Sequence, residues 1–208
     1  MSDPKDVVRD GYDTLGGRYL DWTLTVDPVH RLTYQSMVLD RLPGGSLVVE
    51  IGCGPATTAA VVADRHRYVG VDFSASQLAL ARAKLPSARF VRADMTEVAF
   101  RPGTVDCVLA FYSLIHVPRE EQSGVLGAMH EWLRPGGVAA FNMTAGYGDP
   151  GGVYAWIDDV PMYWSGFDAE TNLGLVRDAG LMIERHEVLE NFEDDETVKF
   201  LWVVAGKP

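Results

Sequence analysis

One stretch of the chain, residues 47–58, restricts the possible folds more than any other. The strand-forming run Leu47–Ile51, apolar at four of its five positions, leads into a Gly-Cys-Gly-Pro turn, and small residues suited to a helix follow. This order predicts a buried parallel strand, a tight turn and a helix start. Gly52 and Gly54 let the backbone approach a ligand closely, and the unpaired amides of a helix start suit an anionic group. The stretch therefore predicts a ligand site, although an ordinary strand-to-helix turn has the same pattern.

Further segments alternate between strand and helix along the chain. Strands are predicted at 68–72, 90–95, 105–112 and 138–143, and helices at 57–64, 74–84 and 118–133. Strands separated by helices predict an α/β fold with a doubly wound parallel sheet. Ligands bind such sheets at the carboxyl ends of the strands. Gly52, Asp72, Asp94 and residues 111–113 all fall at those ends, so we expect them to lie close together.

An acidic residue ends the second predicted strand. Asp72 lies twenty positions after Gly52, where a carboxylate can accept hydrogen bonds from two ribose hydroxyls. Ser74 and Gln77 then form a capping-box pattern for the next helix. The alternative interpretation makes Asp72 no more than the residue that precedes this helix.

Residues 1–45 precede the first strand and are interpreted as a helical cap over the site. Asp27 and Pro28 form a helix start, with an N-cap followed by proline at the first helical position. The segment before them contains Tyr12, Tyr19 and Trp22. Their rings either close over the site or only dock the cap on the body of the protein.

The alternation stops at residues 146–167, a stretch rich in glycine and aromatic residues. A loop this long in a compact domain is usually functional, so we expect a lid or substrate wall. Its acids, Asp149, Asp158 and Asp159, either hold a cationic amine or a metal or are simply exposed to solvent.

The end of the chain returns to regular elements. A helix is predicted at 168–179, and strands are predicted at 181–189 and 197–205. The acidic connector 191–196 is too short for a parallel crossover, so we expect this strand pair to be antiparallel.

Composition narrows the function classes. The chain has 208 residues and a net charge of −11, which repels phosphate backbones and argues against a nucleic-acid partner. No apolar run approaches the ~20 residues of a membrane span, and the polar N-terminus is unlike a secretory signal. Cys53 and Cys107 lie in or beside predicted buried strands, so we expect free buried thiols and a cytoplasmic location.

From Leu47 to the C-terminus, the sequence resembles the class I, seven-stranded S-adenosylmethionine-dependent methyltransferases of the small-molecule type. The resemblance rests on residues 49–55, 70–74, 93–95 and 106–137. It implies a mostly parallel sheet of order 3-2-1-4-5-7-6 with an antiparallel last strand. The single domain, 1–208, then consists of the cap (1–45), a cofactor-binding core (46–145), the lid (146–167) and a C-terminal helix with a strand pair (168–208).

The resemblance also implies which residues bind S-adenosylmethionine. They are Tyr12, Tyr19, Glu50, Gly52, Cys53, Gly54, Asp72, Phe73, Asp94, Met95, Phe111 and Tyr112. By this likeness Glu50 orients the glycine turn near the methionine part, and Asp72 holds the ribose. Phe73 packs on the adenine, Asp94 accepts from its amino group, and the Met95 backbone contacts the ring edge. Phe111 and Tyr112 lie beside the transferring methyl group, and the two N-terminal tyrosines close over the cofactor.

Two residues are candidates for catalysis. His116 follows the fourth strand and resembles the histidine that small-molecule methyltransferases place there, either as a base or for helix packing. Tyr19 is the second candidate. The lid supplies aromatic candidates for substrate contact, which are Tyr154, Trp156, Tyr163 and Trp164. No Cys/His spacing typical of a metal site is present in the sequence.

The predicted function is methyl transfer from S-adenosylmethionine to oxygen or nitrogen of a small apolar or aromatic metabolite, by a monomer or homodimer. A protein acceptor and a cofactor-binding member that transfers no methyl group stay open as alternatives. A nicotinamide-dependent oxidoreductase is disfavoured because Thr57 occupies the position of the third glycine in its motif.

Overall fold

The computed structural model describes residues 3–146, 151–193 and 196–208. Its helices are α1 (Pro4–Leu15), α2 (Gly17–Thr23), α3 (Val29–Leu39), α4 (Ala59–Ala63), α5 (Ala75–Lys84), α6 (Arg119–Trp132) and α7 (Ala169–Asp178). Its strands are β1 (Leu47–Ile51), β2 (Arg67–Asp72), β3 (Arg89–Arg92), β4 (Val105–Ala110), β5 (Leu133–Thr144), β6 (Gly152–Ala155), β7 (Pro161–Trp164), β8 (Met182–Glu193) and β9 (Glu196–Gly206). Short 3₁₀ turns lie at Leu114–His116 and Ile157–Asp159. Within these residues, no helix is long and apolar enough to cross a membrane.

A seven-stranded sheet forms the centre of the protein, in the order β3-β2-β1-β4-β5-β9-β8. Strand β1 runs parallel to both neighbours, and its Val49 lies between Val69 of β2 and Val108 of β4. Strand β9 is antiparallel to both of its neighbours in this sheet, β5 and β8. The predicted doubly wound sheet is therefore confirmed. Its order is the predicted one when β6 and β7, which form a separate hairpin, are left out of the numbering.

Apolar side chains cover both faces of the sheet, as expected for parallel strands between helices. Tyr34 of α3 and Val62 of α4 pack on one face, together with Trp202 of β9. Met129 of α6 and Val176 of α7 pack on the other face. This two-sided core holds the carboxyl ends of β1, β2 and β4 at one edge of the molecule.

Helix α1 is fastened to the start of helix α5 by hydrogen bonds. Ser74 Oγ caps α5 as predicted, since it accepts from Gln77 N at 3.2 Å. The Gln77 side chain does not complete the capping box. Its Nε2 instead donates to the carbonyl oxygens of Tyr12 and Gly16, both at 3.1 Å. Asp13 Oδ1 accepts from Ser74 Oγ at 2.6 Å and from Ser76 N at 2.9 Å, so an acid of α1 helps to cap α5.

The segment predicted as a lid loop contains an antiparallel hairpin, β6–β7, so the interpretation of residues 146–167 as a plain loop was wrong. The runs Val153–Ala155 and Met162–Trp164 are rich in strand-forming residues, which the surrounding glycines concealed. Met162 is fully buried against α1, where a side-chain carbon on Gly11 would come within 2.9 Å of it. We call residues 4–23 and 152–164 the cover.

The remaining expectations concern the connector between the last two strands, Asp149 and the two cysteines. The predicted connector 191–196 was wrong, because β8 extends through Asn191 to Glu193 and β9 already begins at Glu196. Asp149 lies outside the described residues. Cys53 and Cys107 are buried free thiols, as predicted.

Candidate active site

A cavity lies at the carboxyl ends of β1, β2 and β4, beneath the cover. Its empty space, counting the part open to solvent, is about 770 Å³. The predicted residues on its wall are Tyr12, Tyr19, Gly52, Cys53, Gly54, Asp72, Phe73, Asp94, Met95, Phe111, Tyr112 and His116. The wall also includes Ser113, from the predicted stretch 111–113, and the polar residues Lys5, Arg31 and Gln77, which the sequence did not point to. The wall thus joins residues from the cap and the core.

The glycine turn after β1 has backbone angles that favour glycine. Gly52 has φ 68° and Gly54 has φ 51°, both in the left-handed region. A side-chain carbon on Gly52 would come within 2.9 Å of Ser113 Oγ and 3.2 Å of Met95 Cε. Both glycines therefore keep the turn open toward the cavity, as the sequence predicted.

Asp72 ties the end of β2 to this turn. Its Oδ2 accepts from Gly54 N at 2.8 Å, and its Oδ1 accepts from Ser74 N at 2.9 Å. Burial raises the pKa of Asp72 to about 6, although these amide donors act in the opposite direction. Each carboxylate oxygen can accept a second hydrogen bond, so the group fits a pair of ribose hydroxyls.

A second carboxylate, that of Asp94, lies on the same wall. Its Oδ1 accepts from Thr96 N at 2.8 Å, and its Oδ2 lies 3.3 Å from Lys5 Nζ. Lys5 also pairs with Glu121 at 3.0 Å. Carboxylates after β2 and β3 can therefore accept hydrogen bonds from two separate parts of one ligand.

Glu50 lies behind the glycine turn, and it is not on the cavity wall. The residue is only 1% exposed, and its carboxylate accepts from Arg31 Nη2 and Tyr68 Oη, both at 2.6 Å. Arg31 thus lies between Glu50 and the cavity, and the place of Glu50 near the methionine part of the cofactor stays a prediction. Arg31 reaches the wall in its place, and its Nε is buried without a hydrogen-bond partner among the described residues. A buried acid requires a partner, but the sequence does not show that the partner comes from α3.

His116 is buried and fixed through both ring nitrogens. Its Nδ1 lies 2.7 Å from the carbonyl oxygen of Tyr163, and its Nε2 lies 2.9 Å from Tyr12 Oη. A carbonyl only accepts, so we assign the proton to Nδ1, and Nε2 then accepts from the Tyr12 hydroxyl. Burial lowers the pKa of His116 to about 4, against the effect of the carbonyl. The histidine is therefore neutral near pH 7 and holds Tyr12 over the cavity.

Tyr112, at the end of β4, is held by two asparagines that sequence reasoning missed. Its φ of 54° is unusual for a bulky residue. Its backbone N donates to Asn142 Oδ1 at 2.6 Å, and its hydroxyl accepts from Asn191 Nδ2 at 2.6 Å. Such a constrained conformation is characteristic of functional sites.

The four aromatic candidates for substrate contact do not lie on the cavity wall. Trp156 packs 5.8 Å from the Tyr19 ring, and Trp164 packs 5.6 Å from the His116 ring. Tyr163 contributes its carbonyl oxygen, and Tyr154 is half exposed. These four residues belong to the cover and do not line the cavity in this structure, so their contact with a substrate stays a prediction.

Asp158 and Asp159, the described acids of the predicted lid, do not form a metal site with their described neighbours. Asp158 pairs with the exposed Arg18 at 2.6 Å. Over the described ranges, no group of three or more His, Cys, Asp or Glu side chains could hold a metal ion.

The sheet order, the glycine turn after β1 and the carboxylates after β2 and β3 are the features expected of class I S-adenosylmethionine-dependent methyltransferases. Comparison with known proteins agrees with this class. Residues 48–137 match the family model described as a methyltransferase domain. This match confirms the predicted class for residues 48–137.

Individual relatives support the same assignment. The chain is 36% identical over 112 residues to a trans-aconitate 2-methyltransferase from Variovorax paradoxus, a match covering 52% of this chain and 42% of that protein. The chain spans less than half the length of the curated relatives that it matches first.

Solved structures show the fold. The 1,6-didemethyltoxoflavin-N1-methyltransferase of Burkholderia thailandensis has a TM-score of 0.74 at 20% identity, covering 100% of this chain and 91% of that chain. The [4+2]-cyclase SpnF has a TM-score of 0.66 at 19% identity, covering 86% of this chain and 80% of that chain. The same fold therefore occurs in proteins named for different reactions.

Proposed function

We propose that this protein transfers the methyl group of S-adenosylmethionine to oxygen or nitrogen of a small molecule in the cytoplasm. The observation that carries the proposal is the single cavity that joins the glycine turn to Asp72 and Asp94 beneath the cover. Relatives named for trans-aconitate, itself a small molecule, support this acceptor size. The buried free thiols support the location.

The residues of the wall fit S-adenosylmethionine along its whole length. Asp72 suits the ribose, and Asp94 suits an amino group of the adenine, with Phe73 and Met95 beside the ring. Arg31 offers a guanidinium for the carboxylate of the methionine part, and its unpaired Nε supports this role. When bound, S-adenosylmethionine supplies a methyl group on a sulfonium, which needs no further activation.

The contribution of the chain is then mainly alignment and the exclusion of water. The cover closes the cavity with Tyr12 and Tyr19, so a small acceptor is enclosed with the cofactor. Alignment of two reactants can supply about 7–11 kcal/mol of a barrier. A protein or nucleic-acid acceptor would have to displace α1 and the hairpin, which favours the small molecule.

His116 fits a positioning role better than the role of a base. With its pKa lowered to about 4 by burial, it takes a proton from few acceptors near pH 7. Its Nε2 is already engaged with the Tyr12 hydroxyl. We therefore assign His116 to holding Tyr12 over the cavity, and Tyr19 to closing the cavity beside it.

A label-transfer assay tests the proposal. The purified chain is incubated with methyl-labelled S-adenosylmethionine and a cell extract, which is then separated into small-molecule, protein and nucleic-acid pools. Label in the small-molecule pool is expected, and label in either other pool would overturn the acceptor class. Calorimetry with S-adenosylhomocysteine tests the cofactor separately. Asp72→Ala should weaken binding by about 1–3 kcal/mol, since the hydroxyl contacts are lost.

Binding without transfer in any pool would favour a different reaction on this fold. The [4+2]-cyclase with the same fold makes this the second candidate function. The assay therefore distinguishes methyl transfer from cofactor binding alone.

A further inference from the structure

We infer that Lys5, in helix α1 of the cover, is a positioning residue that fixes the carboxylate of Asp94 for the amino group of adenine. The inference rests on the proposed function, which assigns Asp94 to the adenine of S-adenosylmethionine. It adds a residue that determines specificity for the base. This residue lies outside the segment that matches the family model, residues 48–137.

The two carboxylate oxygens of Asp94 differ in how far the protein already occupies them. Oδ1 accepts from Thr96 N at 2.8 Å and from Thr96 Oγ1 at 2.9 Å. A carboxylate oxygen has two lone-pair sites, so these two hydrogen bonds fill Oδ1. Oδ2 forms the ion pair with Lys5 Nζ at 3.3 Å and keeps a site for one more donor. Because Asp94 lies on the cavity wall, Oδ2 is the oxygen that an amino group in the cavity would meet.

Lys5 acts on both oxygens of Asp94. It pairs directly with Oδ2, and its Nζ also donates to Thr96 Oγ1 at 3.2 Å. The Thr96 hydroxyl has one proton, and because its oxygen accepts from Lys5, that proton is directed to Asp94 Oδ1. The third partner of Lys5 is Glu121 Oε2 in α6, at 3.0 Å. An ammonium has three donors, so these contacts engage all of them, and Lys5 acts on a ligand through Asp94.

The neighbouring carboxylates keep Lys5 charged. Burial by itself lowers the pKa of Lys5, but the hydrogen bond to Glu121 and the charge of Asp94 outweigh it and raise the pKa above its ordinary value. Lys5 is therefore an ammonium near neutral pH. The side chains of Lys5 and Asp94 are only 22% and 18% exposed, so water screens their attraction less than it would screen a pair on the open surface.

The orientation of Asp94 matters because a carboxylate distinguishes a donor from an acceptor. The amino group of adenine donates hydrogen bonds, whereas hypoxanthine has a carbonyl oxygen at the same position, which only accepts. A carboxylate oxygen also only accepts, so Oδ2 held in place favours adenine and opposes hypoxanthine. A carboxylate that is free to rotate can turn away from the unfavourable oxygen. The preference for adenine therefore depends on the residue that fixes Asp94.

Calorimetry with two matched probes tests the inference. The full chain is titrated with S-adenosylhomocysteine or with S-inosylhomocysteine, which has hypoxanthine in place of adenine. We expect the unmodified chain to bind S-adenosylhomocysteine about tenfold more tightly or better. Lys5→Met should reduce this preference by about threefold or more, mainly through weaker binding of S-adenosylhomocysteine. Thr96→Val keeps the backbone donor to Asp94 and loses the hydroxyl, so it should reduce the preference by about twofold.

The matched control removes a cation from the same helix. Arg9 of α1 pairs with Asp6 at 2.7 Å and with Asp10 at 3.0 Å, and it does not lie on the cavity wall. Arg9→Met should therefore leave both affinities unchanged. If Lys5 only fastened α1 to the body of the protein, Lys5→Met would weaken both probes equally. The ratio of the two affinities thus separates positioning of Asp94 from a purely structural role.

Three outcomes would overturn the inference while the proposed function stands. They are equal binding of the two probes by the unmodified chain, an unchanged preference in Lys5→Met, and an equal loss of preference in Arg9→Met. If Lys5→Met does not fold, Thr96→Val decides, and an unchanged preference in that variant overturns the inference. If S-adenosylhomocysteine fails to bind the unmodified chain, the proposed function itself fails, and this inference fails with it.

Discussion

Replacing Arg31 by methionine should destabilise the protein strongly, because it leaves the buried carboxylate of Glu50 without its cation. Glu50 is 1% exposed, and the Arg31 side chain is 14% exposed. Removing one partner of a buried ion pair costs about 3–5 kcal/mol. The Tyr68 hydroxyl, 2.6 Å from the same carboxylate, stays in place and keeps one hydrogen bond. We therefore expect a loss near the lower limit, about 3 kcal/mol.

Urea unfolding followed by tryptophan fluorescence measures this loss. The comparison requires that the slope of the unfolding free energy against urea concentration is the same for the variant and the unmodified chain. The double variant Arg31→Met/Glu50→Gln should recover at least ~1.5 kcal/mol of it, because no charge remains unpaired. Arg65→Met is the matched control, since Arg65 and Asp40 form an exposed pair at 3.3 Å. A surface pair of this kind contributes about 0–1 kcal/mol.

Two results would contradict the prediction for Arg31→Met. If Arg31→Met costs no more than Arg65→Met, the buried Arg31–Glu50 pair does not contribute to stability more than an exposed pair. A double variant less stable than Arg31→Met would show that the unpaired charge is not the cause of the loss.

Three further predictions concern the cover, the ribose site and His116. Gly11→Ala should cost about 1–3 kcal/mol in urea unfolding, since the added carbon would lie 2.9 Å from Met162 Cε and from the Pro161 carbonyl oxygen. Gly17→Ala, with open space around it, should cost nothing, and equal losses would contradict the packing described. Asp72, whose pKa burial raises from 3.8 to about 6, binds a proton more readily in the folded state, so its contribution to stability falls as pH rises between those values. The stability of Asp72→Asn relative to the unmodified chain should therefore increase across this interval, and a flat difference would show that the pKa is not raised. His116→Ala should lower turnover, while the affinity for S-adenosylhomocysteine in calorimetry stays nearly intact. Because the pKa of His116 is near 4, the unmodified protein should show no inflection from this residue in its pH–rate profile between about 5.5 and 8. Normal turnover in the variant would leave His116 only a packing role.

The sheet and the core of the site were predictable because each signal lies close to its element in the sequence. Gly52 directly follows one apolar strand, and Asp72 is the last residue of the next. Parallel strands bring their carboxyl ends to one edge of the sheet. Local pattern and topology therefore suffice to place them together. The same logic placed Asp94 on the cavity wall.

The remaining parts depend on contacts between distant segments. Tyr12 and His116 are 104 positions apart, and no pattern in either neighbourhood indicates their hydrogen bond. Arg31 of α3 pairs with Glu50 of β1, a contact that only tertiary packing determines. The hairpin β6–β7 was missed because glycines and aromatic residues alternate there without a clear strand period.

The position of the cover has a consequence for the exchange of ligands. Residues 4–23 and 152–164 meet above the cavity, and α1 is also tied to α5 through Gln77 and Asp13. A ligand that enters or leaves must interrupt contacts of both segments, so the two should open and close in a single event. Backbone amides in residues 4–23 and in residues 152–164 should therefore gain hydrogen-exchange protection together when S-adenosylhomocysteine binds. The rate at which the cover opens would then set the lifetime of the bound state, and the contacts of the ligand alone would not.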